Sequence, residues 1–254
     1  MLLDIRSPLS QFEVQTYIST YNDNLDINWL SLTNVSVYNI IVLLTIILLH
    51  VIVLSNNSLV PTKWQVSIEA IYYTTYTIVI NQLGEKGSRY VPLIYTLLIY
   101  ILISNLVSLV PYNFAILSHI VYTISLSTTI MIAVTLLGFS IHKINYFSLF
   151  VPSGTSLPLA PLLVIIEFIS YTVRALSLGL RLGANILAGH LLLVILSGLV
   201  LDFMSISLIT LFIGIIPFAV ILGIVVLEIA VAIIQAYVFC VLTSSYIKDA
   251  LLLH

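Results

Sequence analysis

One permanently charged side chain lies in the middle of a long apolar stretch. Arg181 occurs within residues 175–190, ALSLGLRLGANILAGH, and a guanidinium keeps its charge at every ordinary pH. At bilayer depth that charge costs at least about 2.5–3.5 kcal/mol on insertion scales. No Asp or Glu occurs within ten residues of Arg181 on either side. The sequence therefore indicates that the compensating carboxylate comes either from a distant part of this chain or from another subunit.

Small side chains surround this arginine. Six of them occur in the stretch: Ala175, Gly179, Gly183, Ala184, Ala188 and Gly189. Small residues on an apolar helix allow the backbone of a neighbouring helix to approach closely. The pattern fits either static helix packing or a surface along which a partner helix moves.

Polar residues spaced seven apart form a stripe on the predicted helix that contains Arg181. At about 100° per residue, Glu167, Arg174 and Arg181 fall within about 40° of one another on the helical wheel. Asn185 extends this stripe, whereas His190 points to roughly the opposite face. One helix is therefore expected to direct Arg181 toward one surface and His190 toward another.

The last apolar segment carries a polar face of its own, formed by Glu228 and Gln235. Folding the last two segments as an antiparallel hairpin predicts three facing pairs in nearly one register: His190 with Glu228, Arg181 with Gln235, and Glu167 with Asp249. Both members of the first and third pairs can change their charge state, and Arg181 cannot. The hairpin is therefore expected to carry two protonatable pairs separated by a fixed positive charge.

The chemistry that suits this arrangement is proton transfer through two offset half-channels. Arg181 would repel a proton that crossed directly, and it would attract a carboxylate presented by another subunit. That carboxylate would lose its proton near Arg181, because a nearby opposite charge favours the ionised form. A membrane potential would supply the work, about 2.3 kcal/mol per charge per 100 mV. In the structural alternative, His190 and Glu228 only hydrogen bond between helices, and Arg174 only snorkels to the interface or supports Arg181 electrostatically.

The composition places the whole chain in a bilayer. Of 254 residues, 61% are hydrophobic and only 7% are charged, against about 25% charged in soluble domains. No polar segment is long enough to build a soluble domain, and a net charge of −2 gives no reason to expect nucleic acid. The sequence contains no phosphate-binding loop, nucleophile constellation or metal-ligand cluster. We therefore expect no cofactor, no metal site and no enzymatic activity of the chain by itself.

The apolar segments predict an all-α membrane protein. Residues 1–34 are mixed and polar, and they predict a surface segment with a short helix around residues 10–17. Residues 35–54 match the roughly 20 apolar residues of a transmembrane helix. Residues 64–80 carry Trp, Tyr and charged side chains, which favours an amphipathic helix at the interface over a span.

Two further transmembrane helices are predicted as a hairpin. A polar loop at residues 81–90 precedes apolar residues 92–110 and 114–139, which are joined by a tight break at residues 111–113. A Pro/Gly-containing linker at residues 151–161 then leads into the C-terminal part of the chain.

The C-terminal part predicts two unusually long helices. Residues 162–199 and 203–247 keep a helical pattern, which gives about 55–65 Å each at 1.5 Å per residue. The hydrocarbon core is only about 30 Å thick, so both helices are expected to be strongly tilted and to form one long hairpin. We expect residues 35–254 to be a single polytopic membrane domain in which residues 157–249 form the proton-translocating hairpin.

Orientation follows from the basic residues of the short loops. With five spans, one side of the membrane receives Lys63, Lys86, Arg89, Lys143 and Lys248, and the other receives Arg6 alone. Positive residues are enriched on the inner side. The N-terminus is therefore expected outside and the C-terminus inside.

With these residues in place, the chain resembles the subunit a family of the rotary F-type ATP synthase, in its mitochondrial form. The resemblance covers nearly the whole chain and is strongest from residue 157 to residue 235. Two motifs carry it: SLGLRLGANILAGH at residues 177–190 and LEIAVAIIQAY at residues 227–237. The N-terminal SPLSQFEV, residues 7–14, is similar to fungal versions, some of which lose a short leader. Residues 1–6 are therefore a candidate for removal.

The resemblance implies roles for individual residues. Arg181 matches the essential arginine of the family, with Asn185 as its neighbour and Gln235 as its partner on the last helix. His190 and Glu228 match the mitochondrial arrangement of the half-channel that opens to the intermembrane space.

The resemblance also implies a location and an assembly. Glu167 and Asp249 match acids of the matrix half-channel, and the location is the mitochondrial inner membrane, with the N-terminus in the intermembrane space and the C-terminus in the matrix. The implied partners are a ring of c subunits (subunit 9) with one membrane carboxylate each, the peripheral-stalk subunit b, subunit 8, other Fo subunits and membrane lipid. Rotary ATP synthesis would be catalysed by other subunits.

Two other classes of membrane protein are considered. A self-contained ion or solute transporter is expected to show internal repeats and broken helices at the midplane, and no internal repeat is evident. A quinone- or haem-bearing respiratory subunit needs facing pairs of mid-membrane histidines, and only His190 lies at depth.

Overall fold

The computed structural model describes residues 10–18, 31–55, 60–110, 113–150, 160–206 and 208–251. Six α-helices dominate this part of the chain: α1 (Asn34–Ser55), α2 (Lys63–Leu83), α3 (Val91–Ser108), α4 (Ile120–His142), α5 (Ala160–Ile206) and α6 (Leu208–Leu251). Two short strands, β1 (Thr16–Ile18) and β2 (Leu32–Thr33), pair antiparallel near the N-terminus. Short 3₁₀ helices occur at Ser10–Phe12, Glu85–Tyr90, Ile116–Ser118 and Lys143–Phe150.

Five of these helices, α1, α3, α4, α5 and α6, are long and apolar enough to cross a membrane. The expected all-α membrane architecture is thereby confirmed. Helix α2 lacks the apolar length of a span, which agrees with the predicted amphipathic helix. It ends where Gly84 adopts a φ of 70°, a conformation open to glycine without steric cost, and where the Gly84 N–H donates to the Ile80 carbonyl at 2.9 Å.

Helices α5 and α6 form the long hairpin that the sequence predicts. They contain 47 and 44 residues, or about 70 and 65 Å at 1.5 Å per residue, so they fit a core of about 30 Å only if strongly tilted. The two helices pack along each other more extensively than any other pair among the described residues. Helix α4 packs against both helices of the hairpin. A Cβ added at Gly179 would lie 2.7 Å from the Thr123 carbonyl oxygen, so glycine is what permits this close approach.

Helix α3 lies between the hairpin and the N-terminal helix. Its Ile101 joins Leu178 and Leu182 of α5 and Phe239 of α6 in one buried cluster. Its other face contacts α1 through apolar packing, in which Ile103 and Val107 join the cluster around Val42, and through two hydrogen bonds. The Tyr100 hydroxyl donates to Asn39 at 2.9 Å, and the Tyr95 hydroxyl lies 3.0 Å from the His50 ring nitrogen Nε2.

The predicted short helix around residues 10–17 is wrong. Only Ser10–Phe12 forms a single 3₁₀ turn, and the chain then enters strand β1, which pairs with β2. Asn34, the first residue of α1, holds the chain in this extended path. The N–H of a residue at a helix start has no partner within its own helix, so it needs an acceptor elsewhere. The Asn34 N–H donates to the Gln15 carbonyl at 3.0 Å, and the Asn34 side-chain amide donates to the Glu13 carbonyl at 3.0 Å.

Several predicted boundaries shift, because apolar composition alone does not mark a helix end. Residues 114–119 were expected in a helix, but α4 begins at Ile120 and the preceding residues form a 3₁₀ turn. Phe114 and Ile116 of this stretch pack against Val42 of α1. Residues 81–83 belong to α2 instead of the predicted loop, and residues 203–206 belong to α5 instead of the last helix. Some predicted features lie outside the described residues: residues 1–6, the break at residues 111–112, residues 151–159 of the linker, and residue 207 between α5 and α6.

Candidate functional site

A small polar cavity lies where α3, α5 and α6 meet. Its volume is about 30 Å³, and its polar lining consists of Asn105, Ser108, Asn185, His190, Glu228 and Gln235. A water molecule needs about 10–15 Å³ of such space, so the cavity accommodates about two. The structure therefore brings together four of the residues that the sequence singled out, two from each long helix.

His190 is oriented by a short hydrogen-bonded chain from α3. Its ring nitrogen Nε2 lies 3.4 Å from the Ser108 hydroxyl, which donates its single proton to the Asn105 carbonyl at 2.7 Å. Because that proton is already used, Ser108 accepts from His190, and Nε2 carries the hydrogen. In the neutral ring the other nitrogen, Nδ1, is then the atom that can take up a proton.

Glu228 lies against α5 beside His190. A Cβ added at Gly189 would overlap the carboxyl oxygen Oε1 of Glu228, so the present position of this carboxyl group depends on the absence of a side chain at residue 189. The other carboxyl oxygen, Oε2, is buried and has no hydrogen-bond partner among the described residues, and the same holds for Asn105 Oδ1. A buried oxygen without a partner costs about 1–3 kcal/mol. Water molecules or an added proton would therefore be stabilised in this cavity.

A second polar cluster lies further toward the beginning of α5. Arg174 bridges the two long helices, with its guanidinium 3.5 Å from Glu167 on the same helix and 3.7 Å from Asp249 on α6. The three side chains keep 41%, 35% and 42% of their surface exposed. Ion pairs this exposed contribute about 0–1 kcal/mol each. The two carboxylates that were predicted to pair, Glu167 and Asp249, are thus joined through Arg174. Arg174 was predicted only as a supporting residue.

Arg181 lies between the two clusters along α5. It is about 10 Å from Arg174 and about 13 Å from His190 along the helix axis at 1.5 Å per residue. Its side chain is exposed, and no carboxylate of the described residues lies within 4.0 Å of it. The hairpin thus presents one cation outward between two protonatable groups.

Gln235, the predicted partner of Arg181 on α6, belongs to the lining of the cavity. Gln235 lines the polar cavity together with Asn185, and no hydrogen bond joins it to Arg181 among the described residues. The two amides therefore extend the cavity along the hairpin, beyond His190 and Glu228.

Three further residues, which the sequence did not predict, lie beside His190. Asn105 and Ser108 are spaced three apart at the end of α3, which puts both on one helix face. That spacing was an available signal, although nothing in the sequence fixes the register of α3 against α5. Phe12 is the third residue, and its ring lies 6.5 Å from the His190 ring between centroids.

Comparison with known proteins covers nearly the whole chain. Residues 36–248 match the family model described as ATP synthase A chain. A protein of Saccharomyces cerevisiae named ATP synthase subunit a is 51% identical over 98% of this chain and 97% of its own length. Proteins with the same name from Kluyveromyces lactis and Vanderwaltozyma polyspora are 49% and 52% identical over at least 98% of both chains.

Proposed function

The chain belongs to the ATP synthase A chain family, and from this premise we propose that it is the proton-translocating stator subunit of an Fo sector. One observation carries the proposal. Two groups of protonatable side chains occupy different parts of one helical hairpin, and Arg181 presents a fixed charge between them. A stator with this layout passes protons to and from a rotating ring of partner subunits, while other subunits catalyse ATP synthesis.

The outer half-channel is the cavity around His190 and Glu228. His190 with its hydrogen on Nε2 offers Nδ1 to an incoming proton, and the Glu228 oxygen that has no partner among the described residues offers a second acceptor. Asn185 and Gln235 supply neutral amides that continue the cavity along the hairpin. Protons from the outer side pass through these groups to a carboxylate of the partner ring.

The inner half-channel is formed by Glu167, Arg174 and Asp249. Its carboxylates are partly exposed, so water reaches them directly. Arg174 holds both carboxylates close to each other without burying them. A proton released from the partner ring leaves the membrane through this cluster.

Arg181 separates the two half-channels. Its permanent positive charge repels a proton that would pass straight along the hairpin. A partner carboxylate that reaches Arg181 loses its proton, because the adjacent cation favours the ionised form. The proton therefore travels on the rotating partner, driven by about 2.3 kcal/mol per charge for each 100 mV of potential.

The same premise supports a location and partners. We propose a multi-pass protein of the mitochondrial inner membrane, with the N-terminus in the intermembrane space and the C-terminus in the matrix, as the basic loop residues favour. The partners are the c-ring, subunit b, subunit 8 and other Fo subunits. Residues 35–254 act as one membrane domain, and residues 157–249 act as the translocating hairpin. Family membership favours this function over a self-contained transporter or a respiratory subunit.

The proposal is tested by removing the titrating group of Glu228 while its shape is kept. In the assembled complex reconstituted in sealed vesicles, Glu228→Gln is expected to lower proton-driven ATP synthesis by at least about tenfold, the size of effect typical of a lost proton-transfer group. Glu69→Gln, on an exposed position of α2, is the matched control and is expected to keep full activity. Full activity of Glu228→Gln would exclude Glu228 as a proton carrier.

A further inference from the structure

The N-terminal segment contacts a residue of the polar cavity, although more than ninety residues of chain separate it from the first residue that lines the cavity. The half-buried ring of Phe12 meets the His190 imidazole edge to face, with 6.5 Å between ring centroids and 67° between ring planes. This is the geometry that aromatic pairs favour, because the positive edge of one ring lies against the negative face of the other. The neighbours Gln11 and Glu13 are exposed, so Phe12 is the side chain that turns inward.

The backbone on the C-terminal side of Phe12 is held in place. The Asn34 side chain, itself buried, donates to the Glu13 carbonyl at 3.0 Å, and the Asn34 N–H donates to the Gln15 carbonyl at 3.0 Å. Strand β1 then pairs with β2. These contacts tie Phe12 to the start of α1, so its position does not depend on the His190 contact alone.

Phe12 and Ser108 contact the same imidazole from two different elements. Ser108 accepts from Nε2 at 3.4 Å, which is a long hydrogen bond and a weak restraint by itself. Rotation of the His190 ring away from Ser108 would also break the edge-to-face contact with Phe12. The two contacts together favour one ring plane, with the Nε2 hydrogen directed at Ser108.

We propose that residues 10–18 form a cover over the outer cavity, in which Phe12 is a positioning residue for His190. The cover limits the access of water and solutes to the space around His190, and the ring of Phe12 keeps the imidazole directed at Ser108. This inference deepens the proposed function, on which it rests. It adds to the outer half-channel a residue from a segment outside the membrane helices.

The cover is tested by the access of a charged thiol reagent to the cavity. Val231 lines the cavity on α6 and has no polar role there, so Val231→Cys introduces a reporter. The native Cys240 is fully buried, and the chain without Val231→Cys gives the background labelling. With a charged methanethiosulfonate applied from the outer side of the assembled complex, adding Phe12→Ala is expected to speed labelling severalfold. Val14→Ala, which trims an exposed side chain of the same segment, is expected to leave the rate unchanged.

The positioning role is tested by transport without the reporter. Phe12→Ala is expected to lower proton-driven ATP synthesis by about twofold to tenfold, the fold-change that corresponds to one lost aromatic pair. Phe12→Tyr keeps the ring and is expected to restore both transport and slow labelling in an equally assembled complex.

Labelling rates that do not change in Phe12→Ala would overturn the cover, and so would equal effects of Val14→Ala and Phe12→Ala. Full transport in Phe12→Ala would overturn the positioning role. Labelling measures the cover whether or not the cavity carries protons, and Glu228→Gln tests proton transfer without changing the cover. Failure of this inference is therefore distinguishable from failure of the proposed function. Should Val231→Cys prevent assembly, carbethoxylation of His190, measured by mass spectrometry in otherwise native chains, gives the same comparison.

Discussion

The two polar groups of the hairpin use opposite environments. Around His190 and Glu228 the side chains are partly buried and line a small cavity, the contacts are neutral, and a buried carboxyl oxygen has no partner among the described residues. Around Arg174 both carboxylates are paired, and all three side chains remain roughly 40% exposed. An enclosed group depends on each contact that shapes it, whereas a hydrated group has water as a substitute partner. Equal changes are therefore expected to cost much more in the outer cavity than in the inner cluster.

Among the three substitutions that compare the two environments, the largest effect is expected from Gly189→Ala. The added methyl group would overlap Glu228 Oε1 and displace that side chain from the cavity. Overpacking of a tight site costs about 1–3 kcal/mol, so ATP synthesis is expected to fall about fivefold to hundredfold. Gly198→Ala is the control on the same helix, because no other part of the described structure, apart from the adjoining turns of its own helix, lies within 4 Å of a Cβ added there. Equal activity of the two variants would show that the Glu228 position does not limit transport.

A smaller effect is expected from Ser108→Ala, which removes the acceptor for His190 Nε2–H. One hydrogen bond contributes about 0.5–1.5 kcal/mol, which corresponds to about twofold to tenfold in transport rate. Ser108→Thr keeps a hydroxyl and is expected to retain most activity. The rates are compared at equal amounts of assembled complex. Loss of transport in both variants alike would point to crowding at this position instead of the hydrogen bond.

The smallest effect on stability is expected from Arg174→Gln in the inner cluster. It removes two exposed ion pairs that contribute about 0–1 kcal/mol each, and salt already screens these pairs. The thermal midpoint of the assembled complex is expected to drop by a few degrees at most and to depend less on salt than in the native chain. A large destabilisation that persists at high salt would contradict the hydrated character of this cluster.

Helix number and type are the features that the sequence predicted best. Long apolar runs such as residues 35–54 have few alternatives to a spanning helix, since every backbone polar group needs a partner in lipid. Helix ends were less accurate, because residues 114–119 are as apolar as the helix that follows them. The strand at Thr16–Ile18 was missed, since its stability depends on pairing with residues 32–33 and not on local pattern.

The residues of the candidate site were likewise predicted where helical periodicity fixes their position and were missed where it does not. His190 and Glu228 could be paired from sequence, because helical periodicity and an antiparallel hairpin fix their register. Asn105, Ser108 and Phe12 could not, because no periodicity relates their elements to α5. Arg174 was placed on the correct face, yet its bridging contact to Asp249 depends on the side-chain reach across the hairpin. The roles of all these residues in proton transfer stay predictions.

The proposed separation of the two half-channels by Arg181 is tested most directly by Arg181→Ala in the assembled complex. Passive proton flux and ATP synthesis are measured in the same sealed vesicles. Arg181→Lys, which keeps a positive charge, and Arg174→Gln serve as matched comparisons. If Arg181 separates the half-channels, Arg181→Ala is expected to abolish ATP synthesis and to raise passive proton flux along the hairpin, while the complex remains assembled. Normal synthesis with an unchanged proton flux would show that Arg181 is a structural cation that does not separate the half-channels.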